Sequence, residues 1–457
     1  EGVTSIGYQA FYNCGNLKNI ELPDSISSIG ISAFDGTPFY DNNVNFEDGA
    51  LYLGNYLINA ENVAENYEIR EGTLVIAGRA FGSNKNLTSV FIPDSVIGIS
   101  NHAFYDCSNL KSISIPDSIT IIGESAFCEC NKLESISIPR NVTQIYSSTF
   151  ENCSSLVNVS IPDKITSIGN FAFENCINLA DISIPESVTN IGVYAFCNCS
   201  NLNSVFIPGS VTNIYGSAFY GCSNLSSVSI YNGVTSIGSE AFCNCTNLKY
   251  INLPDSIINI GYSAFCNCTN LETINLPDNI KNIAASTFDG TYFYNNGDNW
   301  ENDVLYIGNY LICARNIIGD YKVKDGTTVI AANAFSGNKN LISIFIPDSI
   351  HTVNDFAFSS CDKLEKVIIP RHLQIDEGVF TDCTGIVKVE VRGEDYNSDL
   401  DFNVYPASLR DINYEWPVLD KDMDYKRPVL NYNISGNTDN LVHYAESQIN
   451  NLDFIKH

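Results

Sequence analysis

The feature that most restricts this chain is a period. Phenylalanine recurs at Phe104, Phe127, Phe150, Phe173, Phe196, Phe219, Phe242, Phe265 and Phe288, always 23 residues apart. Around each one the same text returns, as in Leu110, Ile113, Ile115-Pro116, Ile119, Ile122-Gly123 and Ala126-Phe127. A unit this short cannot bury an apolar face by itself, so successive copies must stack and cover one another. The period therefore predicts one coil per repeat of an elongated solenoid. Length alone would have suggested two to four separate domains for 457 residues.

The marker extends to Phe11, Phe34 and Phe81 on one side and to Phe335, Phe358 and Phe380 on the other. Two steps are long: Phe34 to Phe81 and Phe288 to Phe335 each span 47 residues, twice the period plus one. Both contain the same expanded text, Asp35-Gly36-Thr37 with Leu51-Tyr52-Leu53-Gly54-Asn55-Tyr56, and Asp289-Gly290-Thr291 with Leu305-Tyr306-Ile307-Gly308-Asn309-Tyr310. These read as variant double units near 35–81 and 289–335 that maintain the stack, with their polar stretches in edge loops. An inserted enzyme would need more room.

Within an ordinary unit, Leu110, Ile113 and Ile115 end in a strand-like alternation, which Pro116 stops. Asp117-Ser118 turns the chain, Ile119 and Ile122 point inward, and Gly123 permits a tight bend before Phe127 packs the opposite wall. Equivalent strands then pair in parallel about 4.8 Å apart, giving a curved sheet backed by a phenylalanine stack. The density of β-branched residues, Gly and Pro leaves little place for long helices.

Cysteine follows the same phase. Eleven of the 16 stand three residues after the marker, from Cys14 and Cys107 to Cys361 and Cys383; Cys128, Cys197, Cys243 and Cys266 stand one after it, and Cys313 lies outside both columns. Such columns suit a small, mostly apolar core side chain. No His or second thiol cluster completes a tetrahedral metal set, so no metal and no cofactor is expected, while disulfides stay open.

Charge removes further classes. With 24 basic and 52 acidic residues the net charge is −28 and the pI about 4.3, which argues against nucleic acid and anionic membrane surfaces as partners. No apolar run approaches the roughly 18 residues of a spanning helix, so no membrane insertion is expected. Glu1-Gly2-Val3-Thr4-Ser5 lacks the regions of a signal peptide and starts inside a repeat, so the chain reads as a processed or trimmed fragment. The five His residues form no evident catalytic constellation and no phosphate-binding loop is present, so no enzyme is expected.

The units, represented by Ala126-Phe127, Cys130, Leu133, Ile136, Ile138-Pro139, Val142, Ile145 and Phe150, resemble the BspA-like leucine-rich repeats over residues 1–384. The resemblance implies a curved, right-handed leucine-rich repeat solenoid, commonly exported from or displayed on microbial cells. It also implies adhesion to host proteins or other bacteria in some relatives, and it carries no catalytic motif. Departures stand at Gly82-Ser83-Asn84, at Gly337-Asn338, and at Tyr231 in place of the recurrent proline.

On such a sheet the residue between the two inward aliphatics forms an exposed column that includes Glu21, Phe91, Ser114, Ser137, Phe206, Asn252 and Phe345, with Tyr250 in the neighbouring column. Glu21, Phe91, Phe206, Tyr250 and Phe345 are the candidate ligand-binding residues, aromatic anchors and one charge in a ladder of Ser and Asn. The expected partners are extracellular or cell-surface proteins, host matrix proteins or other microbial cells, bound by a secreted or surface-displayed scaffold. The alternative is a structural cell-envelope repeat without an external ligand. Neutral carbohydrate suits the abundant Asn, Ser, Thr and Tyr, but no compact site for it shows in the sequence. Residues 385–457 read as a cap or a small appended module, opening with an alternating run at Val387–Val391 suited to a terminal strand.

Overall fold

The computed structural model describes residues 2–375 and 378–392. They form a curved β-solenoid of 23-residue coils with almost no helix. The alternating segments of most coils pair in parallel with a neighbouring equivalent, in a first ladder broken into short sheets: Ser89–Phe91 lies between Asn66–Glu68 and Ser112–Ser114, Ser135–Ser137 beside Asn158–Ser160, and Ser204–Ile207 beside Ser227–Ile230. Register is strict, Ile113 opposite Val90 and Ile136 opposite Val159, because a one-residue slip would turn every buried aliphatic outward.

A second parallel ladder runs along the coil where the sequence reading placed only a turn. Its seven strands, from Gln144–Ile145 to Asn282–Ile283, are two residues each and pair through Ile145, Ile168, Ile191, Ile214, Ile237, Ile260 and Ile283. Two residues are too few for a period-2 signal, yet the backbone groups beside these buried isoleucines need partners, and the next coil supplies them. Gly123 also differs from expectation. Its φ is not positive; a Cβ there would stand 2.5 Å from the Asn101 backbone nitrogen, so the glycine serves close approach between coils.

The third wall holds the markers. Phe104 through Phe288 stack at centroid distances of 5.2 to 5.8 Å with planes within 14°. The residues two before and two after each marker are left-handed, as at Ser125 and Glu129 around Phe127. This alternation splits the N–H groups: Ala126 and Cys128 bond within the coil, whereas Phe127 and Glu129 donate to Thr149 and Glu151 of the next. Asn tolerates left-handed backbone best after Gly, which explains Asn152, Asn175 and Asn198 here. Their amides also bond along the stack, Asn175 Nδ2 to Asn152 Oδ1 at 2.8 Å and Asn198 Nδ2 to Asn175 Oδ1 at 3.0 Å. Asn175→Ala is therefore expected to lower stability by about 2 kcal/mol, and Asn175→Gly by clearly less because it keeps the backbone conformation. Urea midpoints of the two variants test this; equal losses would place the whole effect in the amide ladder.

The cysteine columns have a more specific role than filling. None of the 16 cysteines is in a disulfide. Cys130 Sγ donates to the Phe104 carbonyl at 3.2 Å, Cys153 to Phe127 at 3.1 Å and Cys176 to Phe150 at 3.1 Å, a thiol bond repeated down the core. A thiol at this site fills apolar space and satisfies a carbonyl of the preceding coil.

The double units replace the expected edge loops with an antiparallel meander. Phe46–Glu47, Ala50–Leu53 and Tyr56–Asn59 form the first, and Trp300–Glu301, Val304–Ile307 and Tyr310–Ala314 the second. The last strand of each rejoins the second ladder in parallel, against Val75–Ile76 and Val329–Ile330. Matching staples cross each insertion: Ile29 N–H donates to Ser100 Oγ at 3.1 Å and Ile283 N–H to Asn354 Oδ1 at 2.9 Å, each spanning 71 residues. Near the end of the stack Lys388–Arg392 pairs with Lys366–Pro370. The remainder of the 385–457 segment, from 393 onward, lies outside the described residues.

Candidate functional site

The outward face of the first ladder is set by strand alternation. In Ser112–Ser114, Ser135–Ser137 and Tyr250–Asn252 the central Ile is buried and both flanking residues are exposed. Stacked in register, these flanks make two polar columns from Ser112 to Asn275, whose one ionisable carboxylate is Asp181. Beyond the two ends of these columns, serine hydroxyls donate to the preceding coil, Ser89 Oγ to the Asn66 carboxamide oxygen at 2.7 Å and Ser343 Oγ to the Asp320 carboxylate at 2.6 Å.

The five predicted residues occupy this face in different ways. Phe91 and Tyr250 project into solvent, 53% and 52% exposed. Phe206 is half-buried because Tyr231, standing where other coils carry proline, lays its ring 4.7 Å away at 59°. Phe345 is half-buried between cations, Lys322 Nζ 5.3 Å and Arg392 4.2 Å from its ring centroid. Arg392 is held there by Asp348 at 3.2 Å and by the Ile346 carbonyl at 2.8 Å. Glu21 is exposed in a stretch outside any strand. Phe91 and Phe206 lie five coils apart, about 24 Å at the coil spacing, so these side chains do not converge on a pocket. They are separate stations on an extended surface.

The tyrosines of the double units are structural by comparison. Tyr52 and Tyr306 hydroxyls bond to those of Tyr67 and Tyr321 at 3.1 and 3.2 Å, and Tyr56 donates to the Pro23 carbonyl at 2.6 Å. Arg315 stacks over Tyr294 and Trp300 at 4.5 and 4.1 Å. Sequence reasoning did not single out Tyr231, Lys322 or Arg392 as neighbours of the anchors. The loss of proline at Tyr231 and the 23-residue step from Lys322 to Phe345 were the signals available for them.

The buried thiols are far from reactive. Burial pushes Cys107, Cys128 and Cys197 up to about 12, and Cys130, Cys153 and Cys199 well above the ordinary thiol range. Among the described residues no group of three or more His, Cys, Asp or Glu side chains could hold a metal ion. Among them also, no helix is long and apolar enough to cross a membrane. The arrangement offers hydrogen bonds, aromatic surface and shape.

The model of the BspA type leucine rich repeat region matches residues 1–111, 98–226, 212–318 and 305–413. A leucine-rich repeat protein from Bacteroides ovatus ATCC 8483 is 24% identical, with 86% of this chain and 88% of that one covered and a TM-score of 0.44. A leucine rich cell surface protein from Faecalibacterium prausnitzii A2-165 is 26% identical over 80% of this chain and 98% of its own, with a TM-score of 0.41. No curated protein matches the chain. The period, the marker and cysteine columns and a family match running from residue 1 to 413 place this chain in the BspA-type leucine-rich repeat family.

Proposed function

We propose that this chain is a noncatalytic, secreted or surface-displayed scaffold that binds extracellular proteins, of a host matrix or of other microbial cells, through the outward face of its first ladder. The observation that carries the reading is the pair of exposed rings, Phe91 and Tyr250, set in columns of Ser, Thr and Asn with little charge. Aromatic anchors surrounded by adaptable hydrogen-bonding groups are the composition of protein interfaces. Phe206 and Phe345 extend the same surface, and Glu21 supplies a charge at its beginning. The family resemblance supports export and adhesion.

The test is binding of the purified chain to a panel of intact matrix proteins and microbial surface proteins by surface plasmon resonance. Saturable binding is expected, and Phe91→Ser and Tyr250→Ser are each expected to weaken it about tenfold, the effect of one interface anchor. No saturable binding across the panel would favour the alternative, a structural cell-envelope repeat.

A further inference from the structure

A second surface lies on the edge that joins the second ladder to the phenylalanine wall, away from the face discussed above. We infer that this edge, over the coils from Tyr146 to Tyr215, is a binding site for an uncharged polysaccharide. The juxtaposition that carries it is Tyr146, Phe171, Tyr194 and Tyr215 on four consecutive coils, with Tyr262 two coils further on. Tyr146, Tyr215 and Tyr262 are 41%, 42% and 52% exposed, and Phe171 and Tyr194 stack at 5.3 Å with planes 7° apart.

Each of the first four departs from what its position asks for. Tyr146 and Tyr215 stand where neighbouring coils carry Gly169, Gly192 and Gly238. A Cβ at those glycines would lie 2.5 to 2.7 Å from backbone of the preceding coil. Where tyrosine intrudes, the second ladder suffers: Ile121–Ile122 ends one sheet and Gln144–Ile145 begins the next, and pairing narrows to Ile191 with Ile214 alone before Tyr215. Phe171 and Tyr194 both have a φ of 57°, a conformation that bulky residues rarely adopt. Six coils fill the same position with serine, at Ser32, Ser125, Ser148, Ser217, Ser263 and Ser286, and Phe356 is a further bulky residue there, outside the strip. Departures from local rules that cluster in one place and raise no core packing mark a functional surface.

The chemistry of the edge selects the ligand. In a chain of net charge −28, residues 144–149, 167–172, 190–195 and 213–218 contain no charged side chain, and the next coil ends the uncharged strip with Glu240 at the site of Phe171 and Tyr194. Around the rings are carboxamides and hydroxyls, Asn170, Asn190, Asn213, Ser147 and Ser148. Sugar rings offer apolar C–H faces to aromatics and hydroxyls to amides, and carry no charge that would require pairing. A polymer with a short repeat also suits stations one coil, about 4.8 Å, apart. The uncharged strip extends about 14 Å over three coil steps, long enough for a few sugar units.

The variants follow from the repeat itself. Phe171→Ser with Tyr194→Ser, and separately Tyr146→Gly with Tyr215→Gly, install the residues that other coils use, so folding is retained. Affinity electrophoresis and calorimetry of the full chain with mannan, laminarin and galactomannan, with alginate as an anionic control, read the outcome. At least one neutral polymer is expected to bind saturably and without salt dependence, each double variant to bind it at least tenfold more weakly, and both to melt at or above the parent temperature. Absence of binding to all three neutral polymers, unchanged binding by the variants, preference for alginate, or a lower melting temperature in the variants would each overturn the proposal. The surface plasmon resonance variants Phe91→Ser and Tyr250→Ser are expected to leave polysaccharide binding unchanged, which separates this site from the protein-binding face.

Discussion

Raising the pH from 9 to 10 is expected to remove several kcal/mol of stability from the central coils. Burial, the largest cause in each case, raises the Cys107, Cys128 and Cys197 thiols from an ordinary 9.0 to about 12. A group whose folded pKa is raised keeps its full contribution below the unfolded value and loses it as pH climbs through the folded one. The window here is therefore pH 9 to 12. Within it each thiol costs about 1.4 kcal/mol per pH unit, since the unfolded chain ionises freely and the folded one cannot. These three together cost about 4 kcal/mol by pH 10, a large share of a typical net stability of about 5–15 kcal/mol. Cys130, Cys153 and Cys199, pushed higher still, add to it. Urea titrations at pH 7, 8, 9 and 10 in reductant measure the slope. Cys128→Ala with Cys197→Ala is expected to flatten it by about 3 kcal/mol per pH unit above 9, whatever the variant does to stability at pH 7. An unchanged slope would mean that the thiols do not control alkaline unfolding.

Phe173→Ala is expected to cost about 3–5 kcal/mol, the range for emptying a fully buried aromatic site. Phe173 has no solvent exposure and stacks on both sides, 5.3 Å from Phe150 and 5.2 Å from Phe196. Because each coil contacts chiefly its two neighbours, the loss concentrates in three coils and opens the solenoid there. Limited proteolysis should accordingly cut near residues 150–196 in the variant and not in the parent. Phe11 gives the contrast: half-buried, stacked only on Phe34 at 5.6 Å, it is expected to cost about 1 kcal/mol when truncated. Equal effects at the two sites would show that the stack is not a chain of neighbour contacts.

How much was legible in the sequence follows from distance along the chain. Contacts one coil apart repeat at one offset, so the marker column, the cysteine columns and the Ile113-type ladder all appear as periodic text. The alternation around Ile113 and Ile251 likewise indicated which side chains face out, and Phe91 and Tyr250 do so. What escaped were chiefly relations the period does not encode. The Ile145-to-Ile283 ladder has strands too short to alternate. The Ser100 and Asn354 staples reach back 71 residues across an insertion. Phe206 and Phe345 lose exposure to Tyr231 and Arg392, which stand off the 23-residue period from them, and Phe345 also to Lys322, which stands one period before it.

By itself the sequence determined the solenoid, its coil length, its family and the residues of its core, because 23-residue periodicity leaves stacking as the one way to bury those faces. The tertiary structure alone decided where glycine is needed for close approach, how the double units fold back as meanders, and that Tyr146, Phe171, Tyr194 and Tyr215 share an uncharged edge. Those residues sit at different positions within their repeats, two at the glycine site and two at the left-handed site. A column read from the sequence compares like positions, whereas a surface brings together whatever the coil turns to the same side.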